Sequence, residues 1–394
     1  MSIFLHFSDI LTEYAEHLCI WRSYVDFFGE LQQMAILNPE KPFNELPFLP
    51  PRIDLETPDI LKACIEAHRE LAKLKIAEKL IPNQTVLINS IPLLESQASS
   101  AIENIVTTTD ELFEHVQGDS SSMNSATKET LQYRQALHQG FKSLQKHPLS
   151  ITTVCAICTA VRQVHTEVRK LPGTTLINGS SGKKIYTPPE GEERLRHLLT
   201  NWQNYLHQKD GIDPLIKLAV QHYQFEAIHP FTDGNGRTGR IINLLYLVEQ
   251  GLLDTPILYL SGYIIKNKAQ YYEKLLKVSS EEAWTDWIIY FLKAVCETSK
   301  WTTERIFAIQ SLMKKSRDFI KAKAPSIYNK EFVELLFTQP YIRISNLVEM
   351  GMSGRDTASK HLKILCEIGF LEEVKRGRDK LFINHQFLNL LKQK

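Results

Sequence analysis

In the run EAIHPFTDGNGRTGR, residues 226–240, a proton acceptor, a carboxylate, a glycine-rich turn and two arginines follow closely on one another. A helix ending at His229-Pro230 is followed by Gly234, Asn235 and Gly236, residue types that tolerate positive φ. Successive backbone N–H groups in such a turn can face one concavity and hold an anion. A second helix then begins, and its first turn adds unpaired N–H groups and the positive end of its dipole. Arg237 and Arg240, three apart, share a helix face and can grip two phosphates of a polyphosphate. Asp233 supplies a hard oxygen where a phosphate-bound Mg²⁺ would sit, and His229 offers a ring nitrogen to take the proton of an attacking hydroxyl. A plain glycine turn with surface arginines would not need so many of these features together.

This run also resembles the signature of the Fic family, H-P-F-x-[DE]-G-N-[GK]-R-x-x-R, at every defined position. The resemblance implies a mainly α fold, with a helical core whose two helices flank the active loop. It also implies transfer of AMP from ATP to a Ser, Thr or Tyr hydroxyl of a target protein or of the chain itself. On that reading His229 is the general base, Phe231 plugs the core beneath the loop and Asp233 holds Mg²⁺. The ATP-binding positions are Gly234, Asn235, Gly236, Arg237, Thr238, Gly239 and Arg240, with the two arginines on the β- and γ-phosphates. Family members that transfer phosphoryl groups carry Lys where this chain has Gly236, so glycine favours adenylylation. SGYIIKNKAQYYEKL, residues 261–275, is similar to the segment after the motif and assigns Asn267 to the nucleotide, with Tyr271 and Tyr272 as candidate walls for adenine.

The elements that must position this loop are mostly helical. LETPDILKACIEAHRELAKLK has the i, i+3, i+4 apolar recurrence of an amphipathic helix starting at Thr57-Pro58. IPLLESQASSAIENIV reads as another, over about 93–106, with Ile102, Ile105 and Val106 as its apolar stripe. GDSSSMNSATKE, residues 118–129, reads as a loop, and helical periodicity is expected over 213–228 and again after Gly236. LPGTTLINGSSGKKIYTPPEG breaks the helical pattern with β-prone pieces around Gly179 to Gly182, the form of a hairpin over 173–188. By the same family resemblance this hairpin is a flap that pairs with a target's backbone, Ile185 and Tyr186 being its clamp side chains. Many family members carry an Arg at its entry, where this chain has Pro172-Gly173-Thr-Thr.

Ser99 and Glu103 lie four apart on the expected second helix. Ser99-Ser-Ala-Ile-Glu103-Asn104 resembles the inhibitory motif [ST]-x-x-x-E-[GN] of Fic proteins. The resemblance implies that Glu103 pairs with Arg240 and withholds it from the γ-phosphate, and allows that Glu103 also orients a water for removing AMP from modified targets.

The last seventy or so residues read as a separate unit with the order helix, short strand, helix, turn, helix, hairpin. Gly351 to Gly354 supply the turn of a helix-turn-helix, and Gly377 turns a terminal hairpin, so the unit resembles a winged-helix domain. Arg355 and Lys360 on its second helix, with Arg376 and Arg378 in the wing, are candidate DNA contacts. Contact with protein is the competing use, because Glu367, Glu372, Glu373 and Asp379 interrupt the basic surface. A second functional reading follows, an ATP-sensing DNA-binding transcriptional regulator. The intact His229 favours the enzyme, since sensing needs no proton acceptor.

The expected division is an N-terminal helical extension over 1–44, a helical region with the inhibitory helix over 45–115 and a catalytic core over 116–300. A helical connector over 301–325 and the winged helix-turn-helix over 326–394 complete it. Residues 1–40 match nothing recognisable, and packing on the core or an oligomer contact such as a homodimer are both open for them. The balance of 46 Lys and Arg against 45 Asp and Glu leaves a formal net charge of +1, so no global field draws the chain to nucleic acid or membrane. The N-terminus lacks a basic n-region, no apolar stretch reaches a membrane span of roughly 20 residues, and six scattered cysteines make no disulfide framework. The expected setting is cytoplasmic. Cys155-Ala-Ile-Cys158 has redox or zinc spacing, but its helical apolar context reads as a buried helix.

Overall fold

In the computed structural model the described residues are 37–393, apart from 117–122, 178–181, 350, 352–353 and 377–378. The expected helical extension falls almost wholly on residues 1–36, outside this set, as do the hairpin tip at Gly179 and Arg378 at the wing.

The fold is mainly α. The helices are α1 (Pro58–Glu78), α2 (Thr85–Ile102), α3 (Thr109–His115), α4 (Ser125–Leu144), α5 (Ile151–Arg162), α6 (Glu192–His207), α7 (Pro214–Ile228), α8 (Asn235–Glu249), α9 (Leu260–Lys266), α10 (Lys268–Glu281) and α11 (Trp284–Lys323). Strands β1 (Leu176–Ile177) and β2 (Lys184–Tyr186) form the expected hairpin between α5 and α6, with Leu176 opposite Tyr186. Helix α4 starts at Ser125, inside the expected loop, because Asn124 caps it by accepting from Thr127 N.

Helix α7 is the axis of the core. Its residues from Leu215 to Phe225 are all buried, the pattern of a helix enclosed on every side. The indole N–H groups of Trp202 on α6 and Trp287 on α11 donate to its Gln221 and Ala219 carbonyls at 3.0 and 2.8 Å. Buried polar side chains on α7 are tied to neighbouring helices. Gln221 Nε2 donates to Asn243 on α8 at 2.7 Å, and His222 Nε2 meets the Tyr271 hydroxyl of α10 at 2.8 Å. Tyr271, a candidate adenine wall, is therefore a core residue at 1% exposure, while Tyr272 is exposed. Cys158 is buried on α5 and Cys155 half-buried, as the helical reading of that segment expects.

Helix α2 ends four residues earlier than its periodicity predicts. Asn104 adopts φ 63, Asn104 N donates to Ala101 O and Ile105 N to Ser100 O, both at 3.0 Å. This pair of bonds is a Schellman stop with Asn in the left-handed position that glycine usually takes. Val106, expected on the apolar stripe, is 73% exposed.

Helix α11 runs 40 residues without a break, so the expected connector is its second half. It ends where Pro325 cannot continue it. The C-terminal unit then comprises α12 (Lys330–Leu335), β3 (Tyr341–Ile342), α13 (Ile344–Glu349), α14 (Arg355–Glu367), β4 (Glu372–Arg376), β5 (Asp379–Ile383) and α15 (His385–Lys392). Its sheet has the order β3-β5-β4, all antiparallel. Helix α15 was not expected; it returns the chain to α11, where Arg305 donates to Leu390 O and Gln393 O. Arg355 and Lys360 are exposed on α14, whereas Lys380 is paired with Glu373. No described helix is long and apolar enough to cross a membrane.

The C-terminal unit is also tied to α3. Tyr341 OH donates to Asp110 Oδ1 at 2.8 Å, Lys392 pairs with Asp110 Oδ2, and Arg343 Nη2 donates to Glu114 O at 3.1 Å. Tyr341→Phe keeps the buried ring and deletes one hydrogen bond to a partly solvated carboxylate, so it should lower unfolding free energy by about 1 kcal/mol. Urea unfolding of both proteins measures this, and faster hydrogen exchange at the α3 amides should accompany it.

Candidate active site

The 226–240 run folds as a turn between two buried helices. Helix α7 ends at His229 in the left-handed region, φ 49, with its N–H still bonded to Phe225 O at 3.1 Å. Helix α8 opens on Gly234, also left-handed at φ 84. A Cβ on Gly234 would press within 3.3 Å of Cys158 Sγ and Arg162 Cγ, so both conformation and space require glycine. Asn235 acts through its side chain. Its Oδ1 accepts from Phe231 N and its Nδ2 donates to Phe231 O, each at 2.8 Å, stapling the turn across the buried Phe231 ring. By helix geometry the N–H groups of Asn235, Gly236 and Arg237 have no partner within α8 and form the anion-facing end.

His229 is held by its backbone. Arg169 Nε donates to His229 O and Arg169 N to Pro230 O, both at 2.9 Å, and its Nη2 donates to Pro189 O beyond the hairpin. Burial pushes the His229 ring down to about 4, so it is neutral at pH 7 and able to accept a proton. Beside it, burial pushes the Glu226 carboxyl up to about 7, against the opposing pull of Arg240. Glu226 Oε1 is buried without a hydrogen-bond partner. A Cβ on Gly239 would lie 2.5 Å from that oxygen, so Gly239 lets α7 and α8 approach. Thr238 is likewise interior, fully buried with its N–H committed to Gly234 O at 3.0 Å. Neither Thr238 nor Gly239 reaches the open face of the turn.

Asp233 stands at that open face. Its Oδ1 accepts from Gly234 N at 2.7 Å, and Oδ2 lies 3.4 Å from Arg162 Nε and 3.8 Å from Arg237 Nη2. With its side chain 63% exposed, this carboxylate can offer an oxygen to a hard cation. Arg237 is otherwise buried and pairs with Glu129 of α4 at 3.3 Å.

Arg240 is the most enclosed charge here, at 1% exposure. Its Nε donates to Ser99 Oγ at 2.8 Å, and its Nη2 to Ser99 O at 3.0 Å and to Glu103 Oε1 at 2.7 Å. Burial pushes the Glu103 carboxyl up, but the charge and hydrogen bond of Arg240 outweigh it and hold the group below the usual carboxylate range. The same Glu103 oxygen presses on the place where a Cβ of Gly236 would stand. The carboxylate therefore lies over the first turn of α8, where an anion is favoured. Asn104, the residue after Glu103, makes this placement through its backbone by stopping α2 at Ile102 and leaving Glu103 as its C-cap.

Other expectations divide. Ile185 is half-buried on β2, but Tyr186 is buried at 6% and donates its hydroxyl to Ala227 O at 2.9 Å, so it anchors the hairpin to α7 and is no clamp for a target. Asn267 caps α9 and donates Nδ2 to Tyr263 O at 2.9 Å, and its neighbour Lys268 reaches Asn104 Oδ1 at 3.3 Å. Arg162, Arg169, Glu129 and Glu226 carried no signal in the sequence beyond their charge, because their partners are set by tertiary packing.

Residues 148–247 match the Fic/DOC family model, residues 61–142 the Fic/DOC family N-terminal model, and residues 312–387 the model of the protein adenylyltransferase SoFic-like C-terminal domain. A probable protein adenylyltransferase of Aquifex aeolicus is 42% identical over 77 residues, 20% of this chain and 23% of that protein. The protein adenylyltransferase fic-1 of Caenorhabditis elegans is 39% identical over 92 residues, 23% of this chain and 17% of that protein. The matched region thus spans less than a quarter of either relative. A crystal structure of a Fic family protein from Desulfovibrio desulfuricans superposes with a TM-score of 0.54 at 19% identity, over 85% of this chain and 98% of that one, and shares the fold. From the stapled turn between α7 and α8 to the family models that follow one another along its length, the chain belongs to the Fic/DOC family.

Proposed function

We propose that this chain is a protein adenylyltransferase that restrains itself. A hydroxyl oxygen of a target protein, or of the chain itself, attacks the α-phosphorus of ATP. The bond from that phosphorus to the bridging β-phosphate oxygen breaks, and pyrophosphate leaves. The neutral ring of His229 takes the hydroxyl proton. The unpaired N–H groups at the start of α8, with Arg237 and Arg240, hold the phosphates. Asp233 would hold Mg²⁺, which neutralises phosphate charge when bound. The hairpin β1–β2 aligns the target backbone beside the turn.

The observation that carries the restraint is the 2.7 Å contact of Glu103 with Arg240. A carboxylate over the first turn of α8 competes with phosphate for one arginine and one set of N–H groups. The two hydrogen bonds from Arg240 to Ser99 do not pass through Glu103, so removing the carboxylate should leave the guanidinium aimed. A second reading, nucleotide-linked DNA binding, draws support from the exposed Arg355 and Lys360 on α14.

Glu103→Gly should raise labelling from α-labelled ATP with Mg²⁺ by about tenfold or more, the effect of roughly 1.4 kcal/mol or more on the barrier. Adding His229→Ala to it should abolish that labelling. Equal labelling by wild type and Glu103→Gly would mean that Glu103 exerts no restraint. In Glu103→Gly the rate should rise with pH on an acid limb at or below about 4, because a lowered pKa keeps the base neutral above that point and the lost carboxylate had been raising it. A rate profile centred near the ordinary imidazole value of about 6.5 would contradict a buried base. For the second reading, binding of a DNA duplex should weaken steeply with salt and be lost in Arg355→Ala with Lys360→Ala; salt-insensitive or unaltered binding argues for protein contact.

A further inference from the structure

Away from the turn, three side chains of metal-ligand type converge. Cys64 and His68 are four apart on one face of α1, and Asp213 is the N-cap of α7. His68 Nε2 lies 2.9 and 2.8 Å from the two Asp213 oxygens, and the thiol, imidazole and carboxylate atoms all fall within 4.8 Å of one another. Cys64 is buried, while the His68 and Asp213 side chains keep 34% and 27% of their exposure. The cluster is therefore closed on the sulfur side and open to solvent on the other.

We propose that Cys64, His68 and Asp213 bind one Zn²⁺, clipping α1 to the start of α7. The donor set selects the metal. A thiolate disfavours Mg²⁺ and Ca²⁺, which take oxygen ligands, and one sulfur, one imidazole nitrogen and one carboxylate suit a borderline-soft tetrahedral ion. Charge also fits. Thiolate and carboxylate sum to two negative charges, which Zn²⁺ neutralises, leaving no net charge at a site closed on one side. Two ligands on one tetrahedral zinc lie roughly 3.3–3.6 Å apart. The histidine–aspartate pair, at 2.8 Å, must therefore open by less than about 1 Å, and the thiol, within 4.8 Å of the other two, close in by at most about 1.5 Å. Leu215 N donates to Asp213 Oδ1 at 2.8 Å and orients the carboxylate from behind. The fourth position faces solvent and takes a water.

Binding replaces the S–H bond of Cys64 by an S–Zn bond and sends the thiol proton to solvent, with no oxidation or reduction. Without metal, burial and the neighbouring Asp213 push this thiol well above the ordinary cysteine range, so affinity should fall as pH is lowered. Nothing in the clip touches the His229 turn directly, so its test is independent of AMP transfer.

The full-length protein, stripped with a chelator, would be titrated with Co²⁺ as a spectroscopic stand-in and then with Zn²⁺. One equivalent of Co²⁺ should give a thiolate-to-cobalt charge-transfer band in the near ultraviolet that one equivalent of Zn²⁺ bleaches. Cys64→Ser should abolish the band, and His68→Ala should weaken Co²⁺ binding at least tenfold. No band in wild type, or a band that persists in Cys64→Ser, overturns the proposal. If Cys64→Ser fails to fold, as judged by circular dichroism, His68→Ala decides, since it alters a part-exposed helix position where alanine is well tolerated. Unchanged Co²⁺ affinity in that variant also overturns it.

Discussion

A guanidinium with almost no access to water needs hydrogen-bond acceptors, and Arg240 sets this condition on everything around it. Breaking a buried ion pair costs about 3–5 kcal/mol; here Glu103 keeps a 35% exposed side chain, so solvent returns part of that. Ser99 matters as much as the carboxylate, since its hydroxyl and carbonyl together engage Nε and Nη2. The two partners differ in kind. Ser99 sits inside α2 and is fully buried, fixing where the guanidinium points. Glu103 sits at the helix end, part-exposed, and occupies ground that a phosphate oxygen would also favour. One arginine can thus be held rigidly while the group that neutralises it remains exchangeable.

That arrangement depends on the turn being rigid. Two successive helices are joined by left-handed residues at His229 and Gly234, conformations that cost a non-glycine residue roughly 1–2 kcal/mol. The strain at His229 is offset by Arg169, which donates to the His229 and Pro230 carbonyls and ties them to the hairpin's exit at Pro189. On the other side Asn235 bridges both backbone atoms of Phe231, whose ring is locked in the core. The catalytic candidates are therefore carried on α7 and α8, which cannot move without disturbing Trp202, Trp287 and the buried Gln221–Asn243 pair. Placing reactive groups on elements this constrained is what allows a single carboxylate to control access.

How much of this could be read in advance follows from range. The turn was legible because glycine, asparagine and charge are local signals, and the helices were legible from periodicity. The end of α2 was not, because Ile102, Ile105 and Val106 continue a helical pattern that a left-handed Asn104 cuts off. Tyr186 looked like a free clamp side chain, since nothing near it in sequence reveals the Ala227 carbonyl it meets 41 residues on. Arg169 lies in a stretch with no motif, and its role exists only because the hairpin folds back over the turn. Cys64, His68 and Asp213 share this blindness, with 145 residues between the two halves of the cluster. The stretch 301–325 was expected as a helical connector to a separate unit; what periodicity alone did not show is that it continues α11 from Trp284 with Ile306, Ile309 and Met313 still on a buried face.

The C-terminal unit shows why that continuity matters. The segment that leaves Glu103 is not a free loop: Gln97 of α2 donates to Thr107 O at 2.8 Å and accepts from Thr109 Oγ1 at 3.1 Å. Helix α3 then closes its own start with a capping box between Thr108 and Glu111. Its first turn presents Asp110 and its last turn Glu114 to the C-terminal unit, which grips them through Tyr341, Lys392 and Arg343. The carboxylate of Glu103 is thus bounded on one side by the Schellman stop and on the other by a short helix anchored to a second unit. A helix of seven residues has little stability of its own in water, so its order here derives from these two attachments. The end of α2 can be no more mobile than the contacts that hold α3 allow, which makes the C-terminal unit part of the architecture around Arg240 even though it contributes no side chain to the turn.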